Sequence, residues 1–184
     1  MVAFFNFLTV HATKRNIRIG VLLILLFNIL LLPEFSKLFS ENNIKINAIL
    51  DLKFSYTINE AYLLIENLGE NGRNTYKYKT LFIDFPYALM YSFVYAFIII
   101  MLLNTTTLKR INYVCLAPFF ISWFDVLENS GIILMLLKYP TKLTAICNLT
   151  SIFTSLKWIF AAITFLIIVT LFINLIYSKT LKKN

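Results

Sequence analysis

Residues 165–176, FLIIVTLFINLI, contain no charged side chain, and the apolar character runs on toward Trp158. Crossing a bilayer as an α-helix takes roughly 20 predominantly apolar residues, so this run reads as the centre of a span at about 151–177. Three further stretches meet or approach that length, at about 17–39, 82–103 and 111–137. The composition agrees: of 184 residues, 59% are hydrophobic and 14% charged. Soluble domains carry about 45–50% and about 25%. The expected fold is all-α, a four-transmembrane-helix bundle forming a single domain over 1–184, with an outer-facing cap segment between the first two spans.

The first span is the weakest, because its clean run IGVLLILLFNILLL stops at Pro33. Lys14, Arg15 and Arg18 ahead of it resemble the basic flank of a signal peptide, but no small-residue cleavage site follows. An uncleaved anchor is the expectation. Lys109 and Arg110 separate the second and third spans, and Lys179, Lys182 and Lys183 follow the fourth. By the positive-inside rule both termini are expected to be cytoplasmic, in a multi-pass membrane protein. The net charge of +8 lies beside apolar segments, so no nucleic-acid partner is expected.

The segment at about 40–81 carries its own signals. In IKINAILDLKFSY, Ile44, Ile46, Ala48, Leu50, Leu52, Phe54 and Tyr56 fall at every second position, which is strand periodicity. A lone strand cannot satisfy its backbone, so this stretch must pair with something or lie extended across the bundle mouth. Next, Thr57 followed by Glu60 reads as a capping box and Gly69 as a helix stop. Ile58, Ala61, Leu64, Ile65 and Leu68 line one face of that short amphipathic helix, expected on the membrane surface or over the bundle. The run ENGRNTYKYK then offers Arg73 as a contact for lipid phosphate near the interface.

Any chemistry must lie with the carboxylates. His11 is the only histidine, and Cys115 and Cys147 fall at opposite ends of one span, too far apart for a disulfide and without metal-ligand spacing. No metal and no cofactor are expected, and two inert thiols are. The stretch Ser122–Gly131, SWFDVLENSG, instead places Asp125, Glu128 and Asn129 inside an apolar span. Ser122, Asp125 and Asn129 follow i, i+3, i+7, with Glu128 one step aside, and so share a stripe. Asp84, Tyr87, Tyr91 and Tyr95 make a stripe on the second span, and Thr150, Thr154 and Lys157 with Trp158 make one on the fourth. Counting about 1.5 Å per residue from the outer end puts Lys157 at about 8–9 Å, Glu128 at about 13 Å and Asp125 at about 18 Å in depth. Each charge facing lipid costs about 2.5–3.5 kcal/mol, so the three stripes are expected to face one another. With two carboxyl groups near one ammonium, at least one carboxyl is expected to have a raised pKa and to be able to hold a proton at neutral pH.

The ordered set Asp51, Tyr56-Thr57, Glu60-Ala61, Leu68-Gly69, Gly72-Arg73, Tyr76, Asp84, Tyr91, Asp125, Glu128-Asn129 and Lys157-Trp158 resembles a group of small, uncharacterised four-span membrane proteins, mainly bacterial. The resemblance spans about 50 to 160 and implies a four-helix bundle without implying an activity. The residues themselves suggest a polar pocket in the outer half of the bilayer that binds a lipid-like or small amphipathic ligand. There Asp125, Glu128 and Lys157 are candidates for acid–base chemistry, with Asp84, Tyr91, Tyr95, Asn129, Trp158 and Arg73 as ligand-binding candidates. Two alternatives stand beside it. One is a structural or assembly subunit whose charges only lock helices, with membrane-protein partners or a second copy; the other is a proton- or cation-coupled transporter or channel.

Overall fold

A computed structural model describes residues 2–31, 33, 49–105 and 112–181, and among these every regular element is helical. Helix α1 (Val2–His11) turns at Ala12 and Thr13 into α2 (Lys14–Leu26). The Thr13 side chain caps α2 by accepting the Asn16 amide at 3.2 Å, and α2 runs on through a widened π turn to Leu31. The rest of the expected first span, residues 32 and 34–39, lies outside the described residues. So do Ile44, Ile46, Ala48, Lys109, Arg110, Lys182 and Lys183.

After a tight turn at Leu50–Leu52 come α3 (Ile58–Asn67) and α4 (Gly69–Lys79). A π turn at Thr80–Asp84 leads without a break into α5 (Phe85–Thr105). A short turn at Asn112–Leu116 precedes α6 (Ala117–Lys138), and α7 (Thr144–Leu181) ends the chain. Three continuous helices, Gly69–Thr105, Tyr113–Lys138 and Thr144–Thr180, are long and apolar enough to cross a membrane. They make this an all-α, multi-pass membrane protein. The second expected span begins earlier than its sequence suggests, because ENGRNTYKYK is itself helical: no proline interrupts it until Pro86. The π turn ends just before Pro86, where the missing amide would otherwise leave a regular turn incomplete.

The expected alternation around Leu50–Tyr56 is not followed. Ile49, Leu50 and Tyr56 are buried, but Leu52 and Phe54 are exposed, because the Leu50–Leu52 turn rotates the chain before it extends. No strand lies beside it among the described residues. Its backbone is served by side chains of α7. The Ser151 hydroxyl accepts the Tyr56 amide at 2.9 Å and donates to the Tyr56 carbonyl at 2.8 Å. Ser155 donates to the Phe54 carbonyl and the Trp158 indole to the Lys53 carbonyl, both at 2.9 Å. The match is one of pitch: seven helical residues rise about 10 Å, and three extended residues span about the same.

At Thr57 the capping box forms as the sequence predicts, with the Glu60 amide donating to the Thr57 hydroxyl and the Thr57 amide donating to Glu60. Gly69 adopts φ +61°, a left-handed conformation that an L side chain rarely takes, and so ends α3. The apolar face of α3 buries Ala61, Leu64, Ile65 and Leu68 against Ile132 and Met135 of α6 and Cys147 of α7. Farther along the helices a second cluster joins Leu8 of α1, Ile99 and Leu103 of α5, Cys115 of the Asn112–Leu116 turn and Leu171 of α7. Both thiols are free and lie in these separate clusters. Glycines set the closest approaches: a Cβ on Gly20 would strike Val94, and one on Gly131 would strike Thr150.

Candidate functional site

The stripe on α6 turns Ser122, Asp125, Glu128 and Asn129 inward, and all four are buried. From α7, Lys157 Nζ reaches Glu128 Oε2 at 2.6 Å and Asp125 Oδ1 at 3.5 Å. The close pass of Gly131 against Thr150 lets α6 and α7 approach one turn away from this contact. Thr154 donates to Glu128 Oε1 at 2.9 Å, and Asn129 donates to Asp125 Oδ1 at 3.2 Å. From α5, the Tyr91 hydroxyl donates to Asp125 Oδ2 at 2.9 Å. Three helices therefore contribute to one contact group, and the expected convergence of their stripes is what the geometry has.

Two members were not singled out from the sequence as site residues. Asp51, from the turn before the extended stretch, offers its backbone carbonyl to Lys157 Nζ at 3.0 Å. Its carboxylate takes Lys79 Nζ at 2.9 Å and the Tyr76 hydroxyl at 3.0 Å. Lys79 in turn lies 3.1 Å from Asp84. On a regular helix residues five apart point about 140° away from one another, whereas a π turn brings i and i+5 together. The turn at Thr80–Asp84 is what lets Lys79 and Asp84 meet. An isolated acid in the apolar run AILDLKF was the available signal for Asp51; nothing in the spacing foretold the π turn.

The other candidates divide. Asp84 joins the group indirectly, through Lys79 and Asp51. Trp158 lies 5.6 Å from Lys157 Nζ and fastens the extended segment. The Tyr95 ring sits 5.9 Å from that of Tyr91. Arg73 is elsewhere: its guanidinium stacks over Tyr139 at 4.4 Å and donates to the Ile65 carbonyl at 3.2 Å. Tyr87 stacks on Phe27 and accepts from Asn28, which ties α2 to α5.

Electrostatics link the two halves. Burial pushes the Asp51 carboxyl up, but the ammonium groups of Lys79 and Lys157 and the Tyr76 hydroxyl outweigh it and hold the group below its ordinary value. Lys157 Nζ lies within 3.5 Å of three protein oxygens: it donates to the Asp51 carbonyl and to Asp125 Oδ1 and pairs with Glu128 Oε2. In total, four carboxyl groups (Asp51, Asp84, Asp125, Glu128) share two ammonium groups (Lys79, Lys157) in one continuous network. Among the buried side-chain atoms without a hydrogen-bond partner among the described residues are Asn129 Oδ1 and Ser122 Oγ, and Glu128 Oε2 and Asp84 Oδ2 are held by ion pairs alone. Nor, among those residues, do three or more His, Cys, Asp or Glu side chains gather so as to hold a metal ion. Comparisons with protein-family models, curated proteins and solved structures give no match to this chain.

Proposed function

We propose that this is a four-span integral membrane protein, both termini cytoplasmic in a bacterial inner membrane. In this reading its network lies in the outer half of the bilayer and binds a lipid-like or small amphipathic ligand. The observation that carries it is the imbalance of charge: four carboxyl groups, Asp125 and Glu128 buried and Asp51 and Asp84 half-buried, against two ammonium groups. In a medium of low dielectric constant such a centre calls for added positive charge, as protons or as part of a ligand. Asp125 and Glu128 are the proton-exchanging groups, and Lys157 is their counter-charge. The segment at 49–57 forms the rim, with α3 beside it. The four-span layout also agrees with the resemblance to small bacterial membrane proteins described above.

A second reading is favoured by one observation. Lys157 Nζ is already surrounded by three protein oxygens within 3.5 Å, as in a clamp that only locks helices within a structural or assembly subunit. Asp125→Asn and Lys157→Met, made singly and together, separate the two. Under the ligand reading Asp125→Asn keeps its melting temperature in detergent while the protein loses a co-purifying molecule detectable by native mass spectrometry. Under the clamp reading each single variant melts earlier, the double variant partly recovers, and no bound molecule changes.

A further inference from the structure

We infer that the ligand is an amphipathic amine, its ammonium head seated between Asp125, Glu128 and the side-chain carbonyl of Asn129. The inference rests on the ligand-binding reading and narrows it to one class of head group. Two observations point the same way. The first is the excess of carboxyl over ammonium groups in the network. The second is independent of charge: Asn129 is fully buried, its Nδ2 donates to Asp125, and its Oδ1 has no hydrogen-bond partner among the described residues.

Protons alone would balance the charge and still leave that oxygen unpaired. Turning the amide over only exchanges an orphaned acceptor for an orphaned donor. An ammonium head answers both needs, since it carries positive charge and several N–H donors. Aromatic surface is close by: the Tyr91 hydroxyl already binds Asp125, and Trp158 lies beside Lys157. For the tail, Phe124 and Phe160 stack at 5.5 Å between α6 and α7, next to Asp125 in sequence and one turn beyond Lys157. Those rings also stack on Phe120 and Phe153, so an alkyl tail would run along their edges.

The test uses the full chain in phosphatidylcholine nanodiscs, with hexadecylamine as probe and hexadecanol as its uncharged counterpart. Hexadecylamine is expected to raise the melting temperature by about 2–4 °C, with hexadecanol giving less than half of that. The rise should vanish in Asn129→Leu, and in the more conservative Asp125→Asn should Asn129→Leu fail to fold. Equal shifts from both probes, abolished by the same variants, would overturn the cationic head and leave ligand binding standing. A shift from hexadecylamine that survives in the folded variants would overturn the site itself. No shift from either probe, together with lipid extracts showing no Asp125-dependent bound molecule, would overturn both readings.

Discussion

The same three long helices are built differently at their two ends. Toward one end α5, α6 and α7 meet through Tyr91, Asp125, Glu128 and Lys157, with Asp51 and Lys79 fastened on. Toward the other, α5 and α7 meet α1 through Ile99, Leu103, Leu171 and Leu8. An apolar cavity of about 300 Å³ lies there, lined by Leu103, Val114, Ile163 and Leu166 among others. One end is specified by partners, since each polar atom needs a particular neighbour, and the other by volume, which several apolar residues can fill. The polar end should therefore break sharply where a charge loses its counter-charge and tolerate an isosteric exchange such as Asp125→Asn, whereas the apolar end should answer to volume.

The sharpest test of that contrast is Lys157→Met, which leaves Glu128 and Asp125 facing no ammonium. A loss of about 3–5 kcal/mol is expected in reversible detergent unfolding, with much of it regained when Glu128→Leu is added. At the apolar end, Ile99→Ala should cost about 2–3 kcal/mol by opening a cavity, and Ile99→Leu should restore most of it. Asp51→Asn is expected to cost about 2 kcal/mol by weakening bonds to Lys79 and Tyr76.

Asp51 also gives the contrast a pH signature. Its folded value lies below the ordinary one, so its contribution is complete above the unfolded value of about 3.9 and fades as pH falls through the folded value. The acid limb of stability should flatten in Asp51→Asn, whereas Ile99→Ala should lower the curve without changing its shape. The smallest effect belongs to Thr57→Ala, which removes the cap of α3 for about 1 kcal/mol and should leave the network contacts of Lys157 unchanged. Hydrogen exchange confined to α3 would check it.

The sequence made some of these features readable and hid others for physical reasons. Apolar run lengths revealed the three long helices, and local rules revealed the Thr57–Glu60 box and the Gly69 stop, because these depend on neighbours in the chain. The meeting of Lys157 with Asp125 and Glu128 followed from the cost of exposing charge to an apolar medium. Lys79 and Asp51 were missed as site residues because their roles depend on a π turn and on a segment docked across 106 residues of sequence. Leu52 and Phe54 misled, since hydrophobic alternation registers a preference for burial and not whether a neighbouring strand exists to receive it.

The rungs that Ser151, Ser155 and Trp158 present to Tyr56, Phe54 and Lys53 act as a vernier between two repeats of unlike pitch. Inserting or deleting one residue between Lys53 and Tyr56 throws the scales out of phase, so that the three rungs cannot all stay engaged. That stretch is thus constrained in length more tightly than in composition: the outward-facing side chain of Phe54 can drift while the count from Lys53 to Tyr56 cannot.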